Sequence, residues 1–404
     1  MLSFRNNFLL ILGLLLAMPV AAVEYTLLPS VMQRAYYDSN IVLAPVDLEE
    51  VFSYEVAPSL LLRARDPGYS LDVRGTLRTS QVSNSNYESD DQLFALDFER
   101  MGERSRLEVS LDADRVSTLS QAEQLGVSLQ ALRAENYSAR ANYTQLLSER
   151  NSVGVGANWG RSNYDSRSRF SDYDSIGYDL SYLRQLTESS TLSVVAYQSD
   201  YEFGGVDSET RGLQVAYDRS VNQRLSTFGL IGARDVETRY PQFCDFFSAI
   251  FGLCDFGEEI GAFVSDSSGF TGRVGFDYQG EVYQLGASYE RTLQPNSLIG
   301  GLLESDRINL NGSRQIGPRL HVDLVAEFFN EDAVDEISFD RSRSRINVGL
   351  RWRMAERWTL RTMLRHRMRK DERLLGGVPV EFDPDSTALI MQLNYSHPRM
   401  QWSR

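Results

Sequence analysis

The chain has 404 residues, and its 55 acidic against 41 basic side chains give a formal net charge of −14. That balance offers no electrostatic footprint for nucleic acid. Beyond residue 22 no stretch approaches the length and apolarity of a membrane-spanning helix, which excludes a helical membrane protein.

The first element is "MLSFRNNFLLILGLLLAMPVAA". Arg5 supplies a positive start, Phe8 to Met18 form an apolar run too short for a bilayer, and Val20 and Ala22 suit a cleavage site. Residues 1–22 therefore read as a secretory signal peptide, and residues 23–404 as a single mature unit.

From there on, hydrophobicity alternates with period two, the pattern of strands. In 69–78, Tyr69, Leu71, Val73 and Leu77 share one face, and Ser70, Asp72, Arg74, Thr76 and Arg78 the other. The same split recurs in 106–114, 270–279 and 319–328. Strands are expected at 26–38, 51–65, 69–82, 91–100, 105–115, 136–147, 152–162, 175–186, 190–203, 209–220, 225–238, 268–278, 282–294, 305–316, 319–330, 341–354, 357–369 and 386–396. Short polar turns fall at 66–68, 101–104, 148–151, 187–190, 222–224, 279–281, 317–319 and 355–357. Longer polar loops lie between them, near 39–49, 83–90, 116–133, 163–174, 204–209, 239–267, 295–304, 331–340 and 370–385.

A soluble sandwich also alternates, but short turns on one side and long loops on the other mark an outer-membrane barrel. The expected fold is all-β: a single transmembrane antiparallel β-barrel of about 18 strands, of the bacterial outer-membrane type. Both termini fall on the periplasmic side, and a short tail follows the last strand. Aromatic residues near strand ends, among them Tyr69, Phe98, Tyr278, Trp352, Trp358 and Tyr395, suit the two membrane interfaces.

The loop 239–267 holds Cys244 and Cys254, the only cysteines. In an exported chain this pair reads as a disulfide rather than a metal site, because no histidine is near in sequence. Phe243, Phe246, Phe247, Ile250, Phe251 and Leu253 make the loop unusually apolar. Three readings stay open: a lobe folded into the lumen as a gate, a patch for a partner or lipopolysaccharide, or a self-packed cap.

The stretch "RSRSRINVGLRWRMAERWTLRTMLRHRMRK" at 341–370 is basic in an acidic chain. With Ile346, Val348, Leu350 and Trp352 toward lipid, Arg341, Arg343, Arg345, Arg351 and Arg353 face the lumen. With Trp358, Leu360, Leu364 and Met368 toward lipid, Arg357, Arg361, Arg365, Arg367 and Arg369 face inward. Such a row is either a track for anionic solute or a wall neutralised by lumenal acids such as Asp72, Asp323 and Glu327. No catalytic triad, phosphate loop, zinc motif or calcium loop is present, so the chain is read as a non-enzyme without metal or cofactor. The glycines of "GVGANWG" at 154–160 read as a small-residue lumenal face.

The segment "RAYYDSNIVL" at 34–43, with Tyr37–Asp38–Ser39–Asn40, resembles the opening of the outer-membrane β-barrel porins associated with exopolysaccharide systems. The resemblance in architecture extends over the whole mature chain. It implies export of a surface polysaccharide, with an anionic polymer and periplasmic export components as partners beside outer-membrane lipid and lipopolysaccharide. The alternatives are a diffusion porin for small anions, using the arginine wall, and a structural or partner-binding barrel occluded by its loops. Tyr395 is the expected aromatic near the end of the last strand, with "SHPRMQWSR" running on after it.

Overall fold

The computed structural model describes residues 23–41, 43, 50–84, 87–117, 133–165, 171–243, 259–296, 301–333, 340–375 and 378–403. The signal peptide, Cys244, Cys254, Phe246, Phe247, Ile250, Phe251 and Leu253 lie outside the described residues. Phe243 is described only in its backbone, as the end of a strand.

The chain is all-β. In order run β1 (Glu24–Asp38), β2 (Val51–Asp66), β3 (Tyr69–Val82), β4 (Ser89–Met101), β5 (Ser105–Ser117), β6 (Arg133–Ser148) and β7 (Asn151–Tyr164). There follow β8 (Tyr173–Thr187), β9 (Ser190–Phe203), β10 (Val206–Ser220), β11 (Leu225–Phe243), β12 (Glu259–Gln279), β13 (Tyr283–Asn296) and β14 (Gly301–Gly317). The chain ends with β15 (Leu320–Ala333), β16 (Asp340–Arg353), β17 (Trp358–Leu375), β18 (Val378–Phe382), β19 (Asp385–Ser396) and β20 (Met400–Ser403). Each strand from β1 to β17 pairs antiparallel with the next, and β19 pairs with both β17 and β1, so the sheet closes on itself. β18 only extends the end of β17, and β19 and β20 are two parts of one stave. The result is a closed barrel of eighteen staves, as the alternation predicts.

The outward face is apolar at mid-height. Ile176, Tyr178, Leu180 and Tyr182 on β8, Ile231 on β11, and Ile346, Val348, Leu350 and Trp352 on β16 are all exposed in the isolated barrel. An uncovered belt of this kind is stable only against hydrocarbon, which places the barrel in the outer membrane. At the short-turn rim, aromatic pairs flank the belt: Trp358 with Tyr395, 4.8 Å between ring centroids, Tyr278 with Tyr283 at 5.4 Å, and Tyr25 stacked on Trp402 at 5.6 Å. Toward the other rim the same face turns charged, with Arg161 paired to Asp174 and Arg239 to Glu237.

Five segments differ from expectation. The polar segment 204–209 is no loop: β9 and β10 meet in a two-residue turn, Gly204–Gly205, with φ of 52° and 98°. Glycine takes both left-handed positions without the clash a Cβ would meet, so the ladder runs to Phe203↔Val206. The segments 239–267, 295–304 and 370–385 are shorter loops than expected, because β11, β12, β13, β14 and β17 continue past the apolar belt. Ladder hydrogen bonds do not need lipid to form. The residues expected as a tail also pair: β20 matches Met400 to Leu27 and Ser403 to Glu24, after a break at Pro398, which has no N–H to give.

Candidate functional site

The basic stripe is built by β16 and β17 in register. Arg345 lies opposite Arg367, Arg343 opposite Arg369, and Arg351 opposite Arg361. Like charges placed directly across a ladder repel, so the flanking strands must answer them. On one side β15 presents Asp323, Glu327 and Glu331. Arg343 pairs with Glu331, Arg345 with Glu327, and Arg351 with Asp323 at 3.1 Å. Arg307 on β14 joins the wall, and Arg307 and Arg343 flank the Phe329 ring at 4.7 and 5.0 Å from its centroid. Alternation against Ile308 and Leu310 already puts Arg307 on the lumenal face.

The β17 side is answered differently. Arg367 is buried and donates to Asp38 of β1 at 2.7 Å. Asp38 also accepts from Ser386 Oγ and from the Asn40 backbone N–H, while Asn40 Nδ2 donates to the Asp385 carbonyl at 3.1 Å. Ser39 exchanges bonds with Thr387. The segment Asp38–Ser39–Asn40 is thus a clasp that closes the β1–β19 seam and fixes one arginine of the stripe. Arg341 and Arg369 are buried as well.

Arg361 and Arg365 lie toward the middle of the wall. Arg361 stands between Arg351 and Gln392 in register, with no carboxylate directly across on either flank. Its buried Nε has no hydrogen-bond partner among the described residues. Arg365, between Asn347 and Ala388, lines a lumenal cavity of about 610 Å³. Facing the same cavity are the ion pairs Arg34–Glu55 and Arg78–Asp91, with Asp112 and Asp114 on β5. Asp114 accepts from Asn136 Nδ2 at 2.7 Å, and Asp112 from Ser138 Oγ at 3.2 Å.

Two corrections concern the stripe. Arg357, expected on the lumenal face of a strand, lies in the exposed turn between β16 and β17, because β17 begins only at Trp358. Arg353 ends β16 and is exposed at the same rim. The stripe is therefore not one continuous track but a buried upper part, a middle in which Arg361 has no carboxylate across from it in register, and a rim.

At the long-loop end, apolar residues that alternation alone does not single out form two clusters. Ile41, Val51 and Tyr87 pack together beside β1–β3. Phe203, Val236 and Leu302 pack together between β9, β11 and β14. In β7 the glycines keep the lumenal wall thin: a Cβ at Gly156 would lie 2.1 Å from Asp179 Oδ1.

No protein-family model matches the sequence, and no characterised relative does. Solved structures resemble the barrel. OpdQ of Pseudomonas aeruginosa is 10% identical, with 94% of this chain and 100% of that chain covered at a TM-score of 0.49. OpdK of Pseudomonas aeruginosa, solved with vanillate, is 10% identical over 94% of this chain and 99% of that one at 0.48. OccAB4 of Acinetobacter baumannii is 9% identical over the same shares at 0.48.

Proposed function

We propose that the barrel is an outer-membrane diffusion channel for small anionic solutes. The observation that carries this reading is Arg361, a lumenal guanidinium faced in register by Arg351 and Gln392, with a buried Nε that no protein group satisfies among the described residues. Arg365 lies on the same strand face and opens onto the cavity. A guanidinium stays charged and offers a planar fork that matches a carboxylate or phosphate. In a lumen walled by lipid-facing strands its field draws anions in.

The size of the free space supports small solutes over a polymer. Apolar clusters lie on two sides of the long-loop end, and the cavity onto which Arg365 opens is of small-molecule size. The polysaccharide-export reading keeps only the resemblance at Tyr37–Asp38–Ser39–Asn40, and Asp38, Ser39 and Asn40 are engaged in closing the seam.

The test is reversal potential under a salt gradient in planar bilayers, comparing the protein with Arg361→Ser/Arg365→Ser. Anion selectivity that falls in the double variant is the expected result. A reversal potential that is the same in both proteins sinks the reading.

A further inference from the structure

The wall of the barrel has a seam. β12 and β13 pair from the short turn up to Gly272↔Arg291, and among the described residues their ladder ends there. Both strands continue. β12 stays on β11 as far as Phe243↔Glu259, and β13 stays on β14 as far as Asn296↔Gly301. Above the seam the β13–β14 hairpin, still laddered to β15 as far as Leu303↔Ala333, leans into the lumen, where Leu302 and Leu293 pack on Phe203 and Val236.

A carboxylate holds it there. Glu304 of β14 reaches Arg234 on the inner face of β11 at 2.5 Å and pairs also with Arg291. Arg234 is 3% exposed and donates to the Phe270 carbonyl at 3.0 Å. Arg291 leans over the Phe270 ring at 4.5 Å and keeps a buried Nε without a partner among the described residues. Arg234 lies in the β11 ladder, and Arg291 stands at the base of the hairpin, at the last position of β13 that pairs with β12. Glu304 lies above that position, on the part of the hairpin that no longer pairs with β12.

We propose that Arg234 and Arg291 form a binding site for a solute carboxylate, which Glu304 fills in the closed state. An incoming carboxylate that takes this place releases the hairpin toward the free edge of β12, widening the mouth. Continuing the existing register would set Gln294 opposite Gly269, a spacing that a disulfide can bridge. Glu304 would then join an outward rim that already carries Asp235, Glu237 and Asp266 in register. This inference rests on the reading of the lumen as a path for small anions.

The experiment records the open fraction of single channels in chloride, before and after adding millimolar succinate. Wild type is compared with Glu304→Gln, and with Gly269→Cys/Gln294→Cys in a Cys244→Ser/Cys254→Ser background. Succinate should raise the open fraction of wild type severalfold. Glu304→Gln should be open without succinate and gain nothing from it, and the oxidised cysteine pair should lock the channel open. The inference is overturned if Glu304→Gln gates like wild type, if succinate leaves wild type unchanged, or if the cysteine pair never cross-links. An anion-selective channel with those results fails this inference alone, whereas a cation-selective channel in which Glu304→Gln still opens fails the anion reading and leaves the gate standing.

Discussion

Asp38 and Arg367 show how far a single pair can decide the use of its neighbours. Both side chains are buried, and Asp38 accepts from Arg367, Ser386 and the Asn40 N–H at once. Removing one charge from such a pair leaves the other buried and uncompensated, at a cost of about 3–5 kcal/mol. Asp38→Asn should therefore lower the unfolding midpoint in detergent and urea by that order. Asp38→Asn/Arg367→Met should recover part of the loss, and full stability of the single variant would disprove the clasp. Alternation sets Arg367 on the face opposite Leu364 and Met368, yet nothing in period two says that Asp38, far away in sequence, meets it. Arg361 shows the converse: its position was legible, but the register neighbours that leave it unanswered were not.

At the scale of elements, the last stave is made of β19 and β20 with a proline break between them. Trp402 stacks on Tyr25 and, with Met400–Ser403, completes the ladder on β1. Truncation after Ser396 should leave the lower half of β1 an open edge. The expected outcome is a lower thermal unfolding temperature and faster migration changes on heated gels, with Trp402→Ala intermediate. A truncated barrel as heat-resistant as the full chain would mean that β20 is dispensable. The short strand was missed because four residues after a proline carry too little pattern to distinguish a strand from a tail. Alternation reads the β13–β14 hairpin as ordinary wall, yet its sequence holds a warning. Arg291, Glu304 and Asp306 fall on the face that alternation assigns to lipid, and folding inward satisfies them with Arg234 and with one another.

For the whole molecule, two solvents set two different rules. Ile231, 68% exposed and at mid-height on the outward face, meets hydrocarbon. Ile231→Arg should cost about 2–4 kcal/mol of stability in lipid, while Arg361→Ser on the lumenal side should cost far less; equal costs in a vesicle unfolding titration would show that the faces are misassigned. The lumen, being wet, should also respond to salt. The Debye length falls from about 10 Å at 0.1 M to about 3 Å at 1 M, so anion selectivity should shrink over that range. Selectivity independent of ionic strength would point to size exclusion rather than to the arginine field.

The sequence by itself determined the all-β class, the eighteen-stave barrel and, for most strands, which residues meet lipid and which meet water. Period two is a local property, and the cost of a charge in hydrocarbon makes it nearly unambiguous. Tertiary structure alone decided which arginines are neutralised, where the β12–β13 ladder ends and which apolar residues cluster at the long-loop end. Those depend on register between strands, on a clasp formed between the two ends of the sheet, and on a hairpin that parts from β12, all of which join residues that no local pattern connects.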